Sequence, residues 1–193
     1  MSEVVGEVRK FVEEECKKPT SNYGYEPFTN HFIPVVNYVK ILGEKLNVEV
    51  EIVELAAWLH DIGSIVEGRE NHHISGSEIA EKKLKELNYP QDKIEKIKHC
   101  ILNHRGSKEN ENKRETIEAQ ILVDADALSH FDEIEGLFKA ALVYENLDQY
   151  SAKKSVMEKL KRSYNKLSFQ ESKKLIKPKL DAAILLFGED NGN

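Results

Sequence analysis

Hydrophobic residues recur every three or four positions along nearly the whole chain, which is the spacing of amphipathic helices. The pattern predicts helices over about residues 3–17, 29–46, 48–61, 75–87, 90–104, 116–130, 132–149, 152–167 and 170–187. No stretch alternates with the period of two that is typical of β-strands, and no internal repeat is visible. The sequence therefore predicts an all-α fold, a compact helical bundle.

A few residues mark where these helices begin and end. Pro34 is tolerated in the first turn of its helix, where its missing N–H has no partner to lose. Gly63 is the residue type that commonly ends a helix, so the third helix is expected to stop there and residues 64–71 to form a loop. Pro178 is expected to break or kink the last helix.

Polar side chains interrupt the apolar faces of three predicted helices. His31 faces the same way as the core residues of its helix, and the apolar run 55–59 ends in the adjacent pair His60 and Asp61. Two aspartates also lie inside the apolar run 121–128. A buried, unpaired carboxylate strongly disfavours folding, so these groups are expected to share a ligand that compensates for their burial. A metal ion suits them.

The expected metal ligands are His31, His60, Asp61 and Asp126, two imidazoles and two carboxylates from three helices. This mixed set suits a divalent Mn, Fe, Co, Ni or Zn ion better than Mg, which prefers oxygen ligands. Four protein ligands leave coordination positions for water and a substrate oxygen, as in hydrolytic metal centres. Asp124 competes with Asp126 for the ligand role, and helical spacing does not decide between them.

Composition and charge restrict the compartment and the partners. The net charge of -6 provides no general basic surface, so we expect no general nucleic-acid binding. Only two cysteines occur in the 193 residues, and they form no pattern, which favours the reducing cytoplasm. No run of apolar residues is long enough to span a membrane, and residues 1–7 do not read as a signal peptide. Assembly into a homo-oligomer is left open.

The order and spacing of the polar groups resemble one known family. His31, then His60 and Asp61 in the motif His-Asp-Ile-Gly, then Asp126, are similar to the metal-binding pattern of the HD superfamily of metal-dependent phosphohydrolases. The resemblance covers about residues 28–145, and it implies that these four residues bind the metal. In that superfamily the metal activates a water molecule that attacks phosphorus.

Two shorter motifs resemble the small stand-alone HD hydrolases. His72 and His73 precede a predicted helix, while His104 and Arg105 follow the end of another. By resemblance, His72 and His104 hold a second ion in two-metal members and line the phosphate pocket in one-metal members. Asp61, His72, His104 and Arg105 are therefore expected to act on the substrate, with Arg105 either a phosphate clamp or a surface charge. His73 is the alternative to His72 in the pocket. The Gly-Tyr-Pro motif of the cyclic-dinucleotide branch is absent, which argues against a cyclic di-GMP phosphodiesterase.

The resemblance also implies the organisation of the chain. We expect a single HD-type domain over residues 1–188, with its core at about 28–145 and a helical extension at about 150–187. Residues 189–193 are expected to be a flexible tail. Ten basic residues between positions 153 and 179 are interpreted as a solvated helix face, with a phosphate-facing or partner-facing patch as the alternative.

The function predicted from the sequence is hydrolysis of a small phosphorylated substrate, with a nucleotide favoured. Two alternatives remain. One is a nucleotide-binding sensor or scaffold with a metal site and no turnover, and the other is an HD-fold oxidase with two irons, for which His72 and His104 would both be ligands. His99 and His130 are assigned no role, and Trp58 is assigned to the core.

Overall fold

The computed structural model describes residues 2–105 and 115–188, which contain helices and no strand. The helices are α1 (Glu3–Lys17), α2 (Ile33–Lys45), α3 (Val50–Leu59), α4 (Ile62–Val66), α5 (His72–Glu86), α6 (Gln91–Asn103), α7 (Ile117–Ser129), α8 (Ile134–Lys139), α9 (Gln149–Asn165) and α10 (Gln170–Phe187). A π-helical turn, Phe28–Phe32, leads into α2, and another, Ala140–Tyr144, follows α8. The predicted all-α fold is confirmed.

Helix α3 lies at the centre of the bundle. Eight of its ten residues are buried, and α1, α2, α6 and α7 pack around it. A helix that is apolar on all sides is stable only where other elements cover every side. Complete burial of side chains such as Leu55 and Leu59 contributes about 2 kcal/mol each relative to exposure. The rigid end of α3 therefore fixes the position of the residues that follow it, His60 and Asp61.

The segment after α3 differs from the prediction. The helix ends at Leu59, His60 and Asp61 form a turn, and α4 begins at once at Ile62. The predicted helix stop at Gly63 and the predicted loop from residue 64 are therefore wrong in part, because Gly63 lies inside α4.

Gly63 is needed for the contact between α4 and α5. A Cβ atom at this position would meet Ser75 Oγ at 2.6 Å and the Gly76 backbone nitrogen at 2.7 Å, and the His72 carbonyl oxygen would be closer still. The missing side chain lets the start of α5 lie directly against α4. Helix α5 consequently begins at His72, earlier than the predicted start at residue 75.

Other helix boundaries are confirmed to within a few residues, with two exceptions. The helix predicted over 132–149 is shorter in the structure, since α8 and the π-helical turn after it cover only residues 134–144. Pro178 does not break α10, which continues through it. The stretch between the helices predicted over 90–104 and 116–130, like the predicted tail, falls almost wholly on residues outside the described ranges.

The C-terminal helices α9 and α10 form a pair that packs on α7. Asp124 of α7 joins them to the core, because its fully buried carboxylate accepts the backbone N–H groups of Ser168 at 2.8 Å and Phe169 at 3.1 Å. These groups begin α10. Among the described residues, no helix has both the length and the apolar character that a membrane span requires. The division into a core and an extension stays a prediction.

Candidate metal centre

Three ligand atoms from distant parts of the chain converge where α2, α3 and α7 meet. His31 Nε2 lies 3.0 Å from His60 Nε2 and 3.6 Å from Asp126 Oδ1, and His60 Nε2 lies 4.0 Å from the same oxygen. His31 belongs to the π-helical turn before α2, His60 follows α3, and Asp126 lies in α7. We call these three residues the first cluster.

A second cluster consists of Asp61, His72 and His104. The two histidine Nε2 atoms are 3.2 Å apart, and they lie 3.2 Å and 3.4 Å from Asp61 Oδ1. The other carboxylate oxygen, Asp61 Oδ2, lies 3.5 Å from His31 Nε2 and 3.7 Å from His60 Nε2. Asp61 therefore presents one oxygen to each cluster and stands between them.

All four histidines turn the same ring nitrogen towards Asp61, and hydrogen bonds on the opposite side of each ring hold them there. In three of them Nδ1–H donates to a backbone carbonyl, which can only accept: His60 to Ala57 at 2.8 Å, His72 to Arg69 at 2.8 Å and His104 to Ile101 at 2.6 Å. This fixes the tautomer and leaves Nε2 with a free lone pair.

The orientation of the His31 ring is fixed in the same way by a side chain, that of Ser129. Ser129 Oγ donates its hydrogen to the Asp126 carbonyl oxygen at 2.7 Å, so it accepts from His31 Nδ1 at 3.3 Å. Histidines that bind metals characteristically donate their other ring N–H in this way. Two Nε2 lone pairs at 3.0 Å repel unless a cation lies between them, either a proton on one ring or a metal ion, and the donor set fits a metal ion.

The ionisation of the two clusters reflects crowding of acids and bases. Burial lowers the pKa of His31, but Asp61, Asp126 and Glu133 outweigh it and raise that pKa to about 9. Burial dominates at His60 and lowers its pKa to about 4, against the pull of Asp61. Burial would raise the pKa of Asp61, yet the surrounding histidines hold it well below its ordinary value. The protein alone thus places a proton on His31 and a negative charge on Asp61.

The clusters form the floor of a cleft of about 580 Å³. Its walls carry four basic side chains, Arg69, Arg105, Lys159 and Lys166, together with Glu133. Arg105 was selected from the sequence, and the structure places it on the cleft wall. The other three basic residues and Glu133 were missed. Lys159 and Lys166 belong to the basic run that was interpreted as a solvated face. Lys159 is half-buried in the cleft wall, whereas Lys166 lines the cleft and is exposed.

The structure places the remaining candidates as follows. Asp126 belongs to the first cluster, whereas the carboxylate of Asp124 accepts backbone N–H groups at the start of α10. His72 points into the cleft and His73 does not line it. His130, which was assigned no role, lies at the end of α7 on the cleft wall, with Nδ1 3.0 Å from Ser163 Oγ.

Comparison with known proteins adds the family. Residues 28–130, more than half of the chain, match the HD domain family model. The chain belongs to the HD-domain family. This match contains all four predicted metal ligands and both auxiliary histidines, while α9 and α10 lie beyond it. At the level of reaction class, the family supports a metal-dependent phosphohydrolase that binds divalent ions.

Sequence and structure comparisons agree with this membership. An uncharacterised protein of Clostridium beijerinckii is 37% identical to the HD chain over 103 residues, which are 51% of this chain and 62% of that relative. The structure of Bacillus subtilis YpgQ in complex with ADP superposes with a TM-score of 0.73 at 18% identity, covering 95% of this chain and 90% of YpgQ. The structure of an HD-superfamily hydrolase from Bacillus thuringiensis superposes with a TM-score of 0.72 at 18% identity, and the match covers 95% of this chain and 94% of that hydrolase. At 18% identity, these superpositions show that both structures share the fold of this chain.

Proposed function

We propose that this HD-domain protein hydrolyses a phosphate bond of a nucleotide at the floor of the cleft. The observation that carries the proposal is the convergence of four imidazole Nε2 atoms and two carboxylates beneath a wall of basic side chains. The floor suits a metal and the wall suits a phosphate, so the two halves of the cleft match the two partners of such a reaction.

His31, His60, Asp61 and Asp126 are proposed to hold one divalent ion. Their nitrogen and oxygen donors suit Mn, Fe, Co, Ni or Zn better than Mg. A bound ion supplies Lewis acidity, which polarises a phosphoryl oxygen and lowers the pKa of a coordinated water molecule. The protein's own contribution is to fix the donors, since each histidine is held by a hydrogen bond from its far side.

The second cluster supports a second ion held by Asp61, His72 and His104. Their ligand atoms lie within reach of one another, and the only carboxylate among them already faces both clusters. Asp61 would then link the two positions. The alternative is that His72 and His104 contact phosphate directly through Nε2–H groups, and the same Nδ1 hydrogen bonds to backbone carbonyls would orient the rings for that role.

Basic side chains near the floor are proposed to bind the phosphate oxygens. Arg105 adjoins His104, and its planar guanidinium can hold two oxygens at once. Such donors neutralise the charge that develops as the phosphorus–oxygen bond breaks. A nucleotide is favoured because Tyr23, an exposed aromatic residue, also lines the cleft, and because YpgQ, which shares the fold, is described in complex with ADP.

The same ligands are compatible with two other functions. A sensor would bind the nucleotide and leave it intact, and an oxidase would need iron in both clusters. The basic wall favours phosphate chemistry over the oxidase, since an oxidase substrate without phosphate has no use for four cations around one cleft. Turnover separates the hydrolase from the sensor, and metal identity separates it from the oxidase.

The test is phosphate release from a panel of nucleotides and phosphodiesters by the full chain loaded with Mn or Co. We expect release by the wild type and none by His60→Ala or Asp61→Ala, both of which should also lose bound metal in elemental analysis. His73→Ala is the matched control, because this histidine neighbours His72 but does not line the cleft. Strong stabilisation by a nucleotide without any release would instead support the sensor.

A further inference from the structure

Two lysines from beyond the HD family match line the wall of the cleft. Lys159 lies in α9 and Lys166 directly follows its last residue. Seven residues make almost two helical turns, so the two lysines share a face and lie about 10 Å apart along the helix. Of the ten basic residues between 153 and 179, these two line the cleft and the other eight do not.

Arg69 faces the cleft from the loop before α5. Its carbonyl oxygen accepts the His72 Nδ1 hydrogen, which ties this loop to the second cluster. Gly68 and Asn71 on either side have positive φ values of 102° and 56°, so the loop has a tight, specific path. Arg69 is therefore held near the clusters by its backbone, and its long side chain reaches the cleft wall.

These three cations line one cleft without a counter-ion in contact. Within residues 2–105 and 115–188, the side chains of Arg69, Lys159 and Lys166 make no hydrogen bond or ion pair. Burial lowers the pKa of Lys159, and the charge of Arg69 lowers it further, while Asp126 and Glu133 oppose the shift. Like charges held close together in a cleft are relieved when an anion enters.

The charge of the cleft points to a polyanion. Its four basic side chains outnumber its three carboxylates, Asp61, Asp126 and Glu133, before any divalent ion adds its own charge. These side chains sum to about +1, and one divalent ion would raise the sum to about +3, so the roughly two negative charges of a phosphate monoester would leave positive charge uncompensated. A chain of two or three phosphates supplies more charge and can extend from the clusters along the face of α9.

We propose that Lys159, Lys166 and Arg69 form a wall that binds a chain of phosphates, so that the substrate is a nucleoside di- or triphosphate rather than a monophosphate. This inference rests on the phosphohydrolase function proposed above. Helix α9 is then the specificity element of the chain, added beside the HD core and joined to it through Asp124.

The test compares Lys159→Gln and Lys166→Gln with the control Lys154→Gln, which removes the same charge from an exposed position of α9 that does not line the cleft. We expect KM for a nucleoside triphosphate to rise about tenfold in each cleft variant, as loss of one charged contact to phosphate implies. The inhibition constant of orthophosphate should change less, and Lys154→Gln should match the wild type. Lys159→Arg should recover most of the loss.

A binding measurement separates this proposal from the proposed hydrolysis. With Mn present, inorganic tripolyphosphate should raise the melting temperature of the wild type more than orthophosphate does, and Lys159→Gln should lose that difference. If Lys159→Gln loses this difference while the wild type hydrolyses no nucleotide, the phosphate-binding wall is supported and the proposed hydrolysis is wrong. If nucleotides are hydrolysed but tripolyphosphate binding and KM are unchanged in both cleft variants, the wall is wrong. Equal weakening of orthophosphate and tripolyphosphate would also overturn it.

Discussion

Two aspartates in α7 show how residues two positions apart take different tasks. Asp126 is part of the first cluster at the floor of the cleft, whereas Asp124 is fully buried and accepts two backbone N–H groups at the start of α10. The sequence could not distinguish them, because both lie within an apolar helix that other elements cover on several sides. Only the position of α10, far along the chain, determines which aspartate is the structural one.

This division predicts opposite outcomes for matched substitutions. Asp126→Ala should lose bound metal and activity with little loss of stability in the metal-free state. Asp124→Ala should leave two partly buried N–H groups without their acceptor and lower the free energy of unfolding by about 1–3 kcal/mol, while the folded protein still binds metal. Urea unfolding and elemental analysis measure both quantities. Loss of metal with full stability in Asp124→Ala would reverse the assignment.

His130 predicts a dependence of stability on pH. Burial lowers its pKa from 6.5 to about 4, so the folded protein binds this proton less readily than the unfolded chain. Stability is therefore full above pH 6.5 and falls as the pH drops from 6.5 towards 4, by about 3 kcal/mol at most for this residue.

The measurement is the free energy of unfolding of metal-stripped wild type and His130→Gln at several pH values between 4 and 7. His60 contributes in the same direction to both proteins, so the difference between them isolates His130. The variant should lose less stability on acidification. Parallel curves for the two proteins would show that His130 is not held neutral by the fold.

At the scale of elements, the contact of α4 with α5 positions half of the metal centre. Helix α4 follows Asp61 directly, and α5 begins with His72, so their separation sets the distance between two members of the second cluster. Gly63 makes the close approach feasible. The sequence showed a glycine at this place, and the expectation of a helix stop there missed the neighbouring helix that requires it.

Gly63→Ala should accordingly destabilise the chain by about 1–3 kcal/mol or more and weaken metal binding, because the new Cβ would displace the backbone of α5. Gly6→Ala is the control, since a Cβ at Gly6 in α1 meets nothing within 4 Å. It should stabilise the protein by up to about 1 kcal/mol through helix propensity. Thermal unfolding with and without Mn tests both. Similar melting temperatures for the two variants would contradict the packing account.

At the scale of the whole molecule, much of the helical framework and most residues of the two clusters could be predicted from the sequence. Helices follow from local periodicity, and His31, His60 and Asp61 stand out because polar groups interrupt apolar faces. The basic wall could not be predicted in the same way. Lys159 looks like its neighbours in a basic run, and its place in the cleft depends on how α9 docks on α7. That docking is a long-range contact, which periodicity does not describe.

We infer that the helical bundle positions a metal centre for phosphate hydrolysis, with Asp61 shared between the two clusters. The most direct test is to strip the purified full chain with a chelator and titrate it with Mn while nucleotide hydrolysis is measured. We expect no hydrolysis without metal and a rise in rate that ends at two equivalents per chain. Absence of hydrolysis at every metal ratio, or hydrolysis that needs no metal, would contradict the account.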